Sequence, residues 1–232
     1  QLHSRGVTTH RVSDPWTELF SRPSKELPQE WQWPKDLGGH MHRVIVVSLQ
    51  WGYGGDHGDH DQFAGVLTNG LFPTQMESAI AQTAESTLWL FRLHPVQRRA
   101  FGYRWTHRLL ADLAERHANV EWRFASQLPL PILLSRATHH VTMLSGSTYE
   151  AAAMGVPTAL LCPTVRPGAV RGHWFEDLID SDYAIRLDYR DPSQLLKWIE
   201  RTERKEPRCS AASTSLADAI VQVLARSERQ GL

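Results

Sequence analysis

The chain has 232 residues, of which 41% are hydrophobic and 22% are charged, a balance typical of a globular protein and not of a disordered one. Its 25 Lys and Arg residues equal its 25 Asp and Glu residues, so it lacks the basic excess of a general nucleic-acid binder. Cys162 and Cys209 are its two cysteines, which support neither a disulfide framework nor a thiolate zinc site. These figures predict a folded protein of a reducing compartment with no nucleic-acid partner.

Residues 1–40 predict a connecting segment ahead of the domain formed by residues 41–232. Prolines at their density prevent long helices and central strands, and large aromatic rings are costly to leave in water. We therefore expect residues 1–40 to lie along a surface, with a partly ordered tail as the alternative. The prolines are Pro15, Pro23, Pro28 and Pro34, and the aromatic residues are Trp16, Phe20, Trp31 and Trp33.

From residue 43 onward, short apolar runs alternate with stretches of helical spacing. The first run, residues 43–50, is rich in β-branched residues without strict alternation, which is typical of a strand covered on both faces. Roughly six alternations favour an α/β fold, a Rossmann-like parallel sheet of about six strands with helices on both faces. The later runs are residues 87–93, 119–124, 139–144, 157–162 and 183–187. The helical stripes include Leu109 and Leu113, Leu195 and Ile199, and Leu216 and Ile220, and Pro73 and Pro192 occupy predicted first turns of helices.

The turn after the run at residues 139–144 has the most distinctive chemistry. In such sheets ligands bind outside the carboxyl ends of the strands, where the strand order reverses. Free backbone N–H groups at the start of the following helix favour an anion. Ser145 and Gly146 allow a phosphate to approach closely, and the hydroxyls of Ser147 and Thr148 can donate to it. A capping box, with Ser147 as N-cap and Glu150 reaching back, is the structural alternative.

A second candidate, His94, follows the run at residues 87–93, and Pro95 ends that strand. An imidazole at this point can donate to a phosphate oxygen and gains Coulomb energy when it is protonated. A His-Pro pair alone is weak evidence, since single histidines are common on surfaces and in cores. Its interest comes from the possibility that the turn at residue 94 and the turn at residue 147 face one crevice.

Residues 52–61, after the first predicted strand, are rich in glycine, aspartate and histidine. His57, His60 and Asp61 are our candidates for a catalytic base. His and Asp are also metal ligands, although glycine and aspartate are equally typical of a solvated loop. An inert or acceptor-contacting loop, a base and a metal site therefore stay open, and we predict no resident metal.

Arginine and histidine residues supply the remaining candidates. Arg166 and Arg171 lie in the loop after the run at residues 157–162 and can neutralise a diphosphate, and we include Arg166 among the donor-binding candidates. His139 and His140 point to opposite faces of one strand, so at most one faces a site, and packing is the commoner role.

The His-Pro turn at residue 94, followed roughly 50 residues later by a Ser-Thr pair that opens a helix, resembles the nucleotide-binding half of GT-B glycosyltransferases. More narrowly, it resembles bacterial capsule and cell-wall transferases that use CMP- or CDP-activated donors. The resemblance covers about residues 43–205. It implies that His94, Ser147 and Thr148 contact the donor phosphate and that Glu150 accepts from ribose hydroxyls.

The resemblance further implies transfer of a sugar from a CMP-, CDP- or UDP-linked donor to a hydroxyl of a glycan or lipid-linked acceptor. The setting would be surface polysaccharide or glycoconjugate synthesis in the bacterial cytoplasm or at the periphery of the inner membrane, with no cofactor besides the donor. The sequence lacks the Asp/Glu-Asp-Gly triplet of the sialyltransferase branch. Residues 1–40 are too few for an acceptor domain, so we expect an N-terminal acceptor domain outside this chain. The alternatives are a nucleotide-sugar 2-epimerase, a non-catalytic GT-B-like interaction module and a metal-dependent hydrolase.

Overall fold

The computed structural model describes residues 28–35, 37–50, 67–68, 71–99, 101–208 and 220–221. Within them, six parallel strands form one sheet and two short strands form an antiparallel pair. The strands are β1 (Arg43–Ser48), β2 (Leu67–Thr68), β3 (Phe72–Pro73), β4 (Thr87–Arg92), β5 (Val120–Glu121), β6 (His139–Thr142), β7 (Thr158–Leu160) and β8 (Ala184–Arg186). The large sheet has the order β5-β4-β1-β6-β7-β8, and β2 pairs with β3. The predicted Rossmann-like parallel sheet is confirmed.

Helices cover both faces of this sheet. They are α1 (Met76–Gln82), α2 (Pro95–Arg99), α3 (Arg104–Arg116), α4 (Arg123–Gln127), α5 (Leu130–Arg136), α6 (Ser147–Ala153), α7 (Glu176–Ile179) and α8 (Pro192–Arg201). Ile45 and Val47 pack in the core shared with α1, α3 and α8. Val46, which points the other way on the same strand, packs in the core shared with α4, α5 and α6. Burial on both faces explains why the strand sequences lack a polar alternation. No helix in the described ranges is both long and apolar enough to cross a bilayer.

Two elements differ from the sequence prediction. The run at residues 119–124 is a strand only to Glu121, because the Glu121 carboxylate accepts from the backbone N–H groups of Phe124 at 2.7 Å and Ala125 at 2.9 Å and so starts α4. Pro73 lies in β3 instead of a helical first turn, and α1 begins three residues later. Pro192 does open α8, after Asp191 whose side chain caps the helix.

The part of the predicted connecting segment that the structure describes packs on the domain. Trp31 and Trp33 lie against the α4–α6 face. The ring of Trp33 meets Phe124 edge-on at 5.7 Å, and its Nε1 donates to the carbonyl of Leu37 at 3.1 Å. This placement removes part of each ring from water, and the cost of leaving such rings in water is the physical reason for expecting a surface-lying segment.

Candidate functional site

The carboxyl ends of β4, β1 and β6 form the edge of the sheet where the strand order reverses. In the strand register, Arg92 on β4 lies opposite Ser48 on β1, which lies opposite Thr142 on β6. Registered neighbours share a face of the sheet, and the preceding residues Leu90 and Val46 pack on the α4–α6 face. On the α4–α6 face, β4, β1 and β6 therefore each end in a polar residue, whereas the earlier positions of these strands on that face are largely apolar.

The turn after β6 is held by its own hydrogen bonds. The N-cap of α6 is Gly146, and no side chain caps the helix, so the capping box suggested by the sequence does not form. Instead, Ser145 Oγ accepts from the backbone N–H of Ser147 at 3.3 Å, and the hydroxyl of Thr148 donates to the Ser145 carbonyl at 2.8 Å. Thr148 is fully buried, so its hydroxyl fixes the turn and its proton is already used. Helix α6 has only seven residues.

A guanidinium that the sequence analysis did not select lies beside this turn. Arg92 is half-buried, and its buried Nε has no hydrogen-bond partner among the described residues. Burial lowers the pKa of Arg92, the carboxylate of Glu150 opposes that change, and Arg98 adds to it. An arginine keeps its proton despite such a change. Arg92 therefore places a positive charge at the carboxyl edge of the sheet, with an Nε–H that no described residue accepts.

His94 lies in the turn after β4, with its ring oriented by its own loop. Its Nδ1 accepts from the backbone N–H of Val96 at 3.3 Å, so the proton of the neutral ring is on Nε2. Partial burial and the nearby charge of Arg92 lower the pKa of His94. At neutral pH the ring is therefore an uncharged N–H donor, which removes the Coulomb contribution that protonation would add.

The two adjacent histidines of β6 lie on opposite faces, as predicted. The His139 ring packs edge-on against Trp198 at 4.8 Å, and its Nε2 donates to the carbonyl of Thr202 at 3.1 Å. His140 is fully buried on the other face, with Nε2 at 2.9 Å from Ser48 Oγ and 3.3 Å from Ser147 Oγ. One imidazole thus contacts both serine hydroxyls of the carboxyl edge.

An open cleft of about 510 Å³ adjoins this edge at Gly146. Among the described residues, a Cβ on Gly146 would meet nothing within 4 Å, so they leave the outer side of the turn open to a ligand. The cleft is lined by aromatic rings and by carboxylates, and the hydroxyl of Tyr149 donates to the carboxylate of Asp177 at 3.2 Å. Its lining consists of Leu144, Gly146, Tyr149, His173, Trp174, Phe175, Glu176 and Asp177.

The other site residues predicted from the sequence are not seen at this edge of the sheet among the described residues. The guanidinium of Arg166 forms an ion pair with Asp188 at 2.7 Å and lies over the ring of Tyr189. His57, His60 and Asp61 lie outside the described residues.

The structure brings Ser145, Gly146, Ser147 and Thr148 together in one turn and places Glu150 within electrostatic reach of Arg92. Sequence analysis missed Ser48 and Arg92 and assigned His140 to packing. A usable signal was present, because Ser48 and Arg92 are polar last residues that each follow a run of four apolar residues. Only the strand register shows that they share a face.

Solved structures share this fold. The UDP-GlcNAc 2-epimerase of Methanocaldococcus jannaschii, in complex with UDP-GlcNAc and UDP, superposes with a TM-score of 0.56 at 14% identity, over 97% of this chain and 57% of that one. The E. coli ADP-heptose LPS heptosyltransferase II gives a TM-score of 0.45 at 16% identity, over 82% of this chain and 51% of that one. The wall teichoic acid polymerase TagF gives 0.46 at 12% identity, over 94% and 49%.

The chain therefore spans about half the length of these solved structures. The sequence matches no protein-family model, and no curated protein matches it. At 14% identity the likeness to the epimerase shows the fold alone, and the two matches below a TM-score of 0.5 add nothing to it. The fold is that of a Rossmann-like half of a GT-B protein.

Proposed function

We propose that the chain is the nucleotide-sugar-binding part of a glycosyltransferase that transfers a sugar from a CMP-, CDP- or UDP-linked donor to an acceptor hydroxyl. The acceptor would be a glycan or a lipid-linked glycan in surface polysaccharide or glycoconjugate synthesis. The observation that carries the proposal is the convergence of Arg92, Ser48 and Ser147 on one sheet edge, where open α/β sheets bind ligands.

The chemistry of this edge suits a phosphate. A half-buried guanidinium whose Nε has no partner in the described part of the chain gains most from an anionic partner. Ser48 and Ser147 add hydroxyl donors, and His94 follows the neighbouring strand β4 with its Nε2 protonated. Strands β4 and β6 flank β1, so the turns that follow them are separated by about 10 Å across the sheet. A sugar diphosphate with its ribose is long enough to contact both.

The reaction proposed here is displacement at the anomeric carbon of the donor sugar. The acceptor oxygen forms a bond to that carbon while the bond to the phosphate oxygen breaks, and the electron pair stays on the departing phosphate. Arg92 and the hydroxyl donors would stabilise that developing charge, which lowers the barrier because the charge is larger in the transition state than in the bound donor. Glu150 would accept from the ribose hydroxyls, and no metal is needed for this step.

The other half of the reaction needs groups beyond this edge. A base must take the acceptor proton, and His57, His60 and Asp61 remain our candidates for it. The aromatic cleft beside Gly146 would accommodate the donor sugar, with Tyr149 and Trp174 against it. The acceptor would be bound by an N-terminal domain outside this chain.

Titration calorimetry of the chain with CMP, CDP and UDP tests the proposal, with Ser147→Ala as the variant. We expect one of these nucleotides to bind the parent and the variant to lose about 1.5 kcal/mol of affinity, because one hydrogen bond to a charged group is removed. Ser135→Ala is the matched control, because the Ser135 hydroxyl donates to the Ile132 carbonyl at the opposite edge of the sheet. Nucleotide binding that is absent from the parent, or unchanged in Ser147→Ala, would contradict the assignment.

Activity of the full-length protein separates transfer from epimerisation. Incubation with the matching nucleotide sugar and an acceptor glycan should give a new glycosidic bond and free nucleotide. Recovery of an epimerised nucleotide sugar without transfer would instead establish the 2-epimerase alternative.

A further inference from the structure

A chain of four buried polar side chains runs beneath the candidate site. Thr158 Oγ1 on β7 lies 3.0 Å from His140 Nδ1, and His140 Nε2 lies 2.9 Å from Ser48 Oγ and 3.3 Å from Ser147 Oγ. All four residues are buried. Such a network inside an apolar face is costly unless every donor finds an acceptor. This requirement determines which atoms of the network carry the hydrogens.

The hydroxyl of Thr158 fixes the tautomer of His140. Within the described part of the chain, this hydroxyl has one hydrogen-bond partner, His140 Nδ1, and it has no exposure to water. Its hydrogen is satisfied only if Nδ1 accepts it. Full burial lowers the pKa of His140 to about 3, so the ring is neutral and carries one proton. That proton must then lie on Nε2.

The Nε2 proton in turn orients the two serine hydroxyls. A hydroxyl oxygen that accepts from Nε2–H keeps its own hydrogen for a different acceptor. No such acceptor is recorded among the described residues for Ser48 or Ser147, and both side chains retain a few per cent of exposure, 6% and 8%. Their hydrogens are therefore available to a ligand at the carboxyl edge. With the opposite tautomer, the one lone pair of Nε2 would accept the hydrogen of one serine, and that serine would present only lone pairs to an anion.

We propose that His140 is a positioning residue that turns the hydroxyl hydrogens of Ser48 and Ser147 toward a phosphoryl oxygen of the nucleotide-sugar donor. Ser48 thereby joins the groups that contact the donor. The inference rests on the proposed function, and it concerns how the site selects an anion. His140 itself touches no ligand and exchanges no proton during the reaction.

Calorimetry on two His140 variants tests this role, with whichever of CMP, CDP and UDP binds the parent most tightly. His140→Leu leaves no donor beneath the serines, so we expect affinity to fall about tenfold. His140→Gln keeps an N–H that can donate to the same hydroxyls, so we expect it to recover most of that loss. Recovery by glutamine separates a positioning role from a purely apolar packing role.

The neighbouring histidine provides the control. His139→Leu removes an equally buried imidazole from the opposite face of β6, and we expect lower stability with the parent's nucleotide affinity. The positioning role is wrong if His140→Leu binds as the parent does, or if His139→Leu weakens binding as much. The proposed function survives that result as long as Ser147→Ala still impairs binding, whereas a parent that binds no nucleotide overturns both.

A spectroscopic measurement tests the positioning role of His140 even if His140→Leu fails to fold. Long-range ¹H–¹⁵N spectra of the full parent chain report which ring nitrogen carries the proton, and we expect Nε2–H for His140 at pH 7. Thr158→Val removes the hydroxyl that donates to Nδ1, so the preference for this tautomer and the nucleotide affinity should both decrease. An Nδ1–H tautomer in the parent contradicts the proposal.

Discussion

Each face of β6 carries a buried histidine, and the two histidines have different hydrogen-bond partners. His139 contacts the ring of Trp198, the carbonyl of Thr202 and the hydroxyl of Thr138, and that hydroxyl can donate its hydrogen to the Val44 carbonyl at 3.0 Å. His140 contacts the hydroxyls of Ser48 and Ser147, which lie at the carboxyl edge of the sheet. Both rings are almost completely buried, and burial lowers the pKa of His139 to about 4 and of His140 to about 3.

Burial and charge state therefore do not separate a structural histidine from one that serves a site. The partners do. Around His139, the segment after α8 is fastened by backbone groups, as when Lys205 N–H donates to the carbonyl of Gly155 at 2.7 Å. Around His140, two of the partners are the hydroxyls of Ser48 and Ser147, whose hydrogens have no acceptor among the described residues. Substitutions on the first side should lower stability, and substitutions on the second should lower ligand affinity.

The largest expected effect is shared by both faces and concerns pH. Both rings are neutral when folded, whereas histidines in the unfolded chain take up a proton below pH 6.5. Stability from each ring is thus fully present above pH 6.5 and is lost as pH falls toward 4 for His139 and 3 for His140. From pH 7.5 to 5, urea unfolding should show a loss of about 2 kcal/mol per ring, or about 4 kcal/mol together.

Variants apportion this loss. His139→Leu should remove about half of the pH dependence, and the half that remains belongs to His140. A free energy of unfolding that stays flat from pH 7.5 to 5 would show that the rings are not neutral in the folded protein.

The next largest effect concerns stability alone and is expected near the segment after α8. Gly155 has φ of +72°, and a Cβ there would collide with the backbone carbonyl of Lys205. Gly155→Ala should therefore lower the free energy of unfolding by about 3 kcal/mol, from left-handed strain and overpacking. Chemical denaturation measures this, and nucleotide affinity of the folded fraction should not change. A loss below about 1 kcal/mol would mean that the segment after α8 is not fastened here.

Two arginine substitutions test the same contrast between ligand affinity and stability, with a smaller expected effect. Arg92→Met keeps the apolar stem and removes the charge, so nucleotide affinity should fall by about 2 kcal/mol with little change in stability. Arg204 is the matched control, because its guanidinium donates to the carbonyls of Ser135, Ala137 and Met154. Arg204→Met should lower stability and leave affinity unchanged, and the reverse pattern would place the anion site elsewhere.

The sequence predicts the scaffold of this molecule better than its chemistry. The β-branched run at residues 43–50 and its successors predict the parallel sheet, because strands buried on both faces need apolar residues at every position. The strand prediction at residues 119–124 is too long, because apolar content alone does not reveal that Glu121 caps a helix through its carboxylate.

The candidate site depends on contacts that no local pattern contains. Ser145–Thr148 stands out because small and hydroxyl residues follow a predicted strand. Ser48 and Arg92 are single polar residues at strand ends, and their proximity to Ser147 requires the order in which β4, β1 and β6 pair. His140 looks like a packing residue in the sequence, and only its distances to three hydroxyls distinguish it from His139.

The smallest expected effect returns to the two glycines that border α6. Gly146 has φ of −58°, an ordinary value for any residue, and a Cβ there would project into open space. Gly146→Ala should therefore change the free energy of unfolding by less than about 0.5 kcal/mol. The added methyl group would nevertheless stand where a phosphate approaches the turn, so calorimetry should show a loss of about 1 kcal/mol of nucleotide affinity. Gly155→Ala, at the other end of the same helix, should instead lower stability and leave nucleotide affinity unchanged. If the two variants lose stability and affinity to the same extent, the two ends of α6 do not differ in function as proposed.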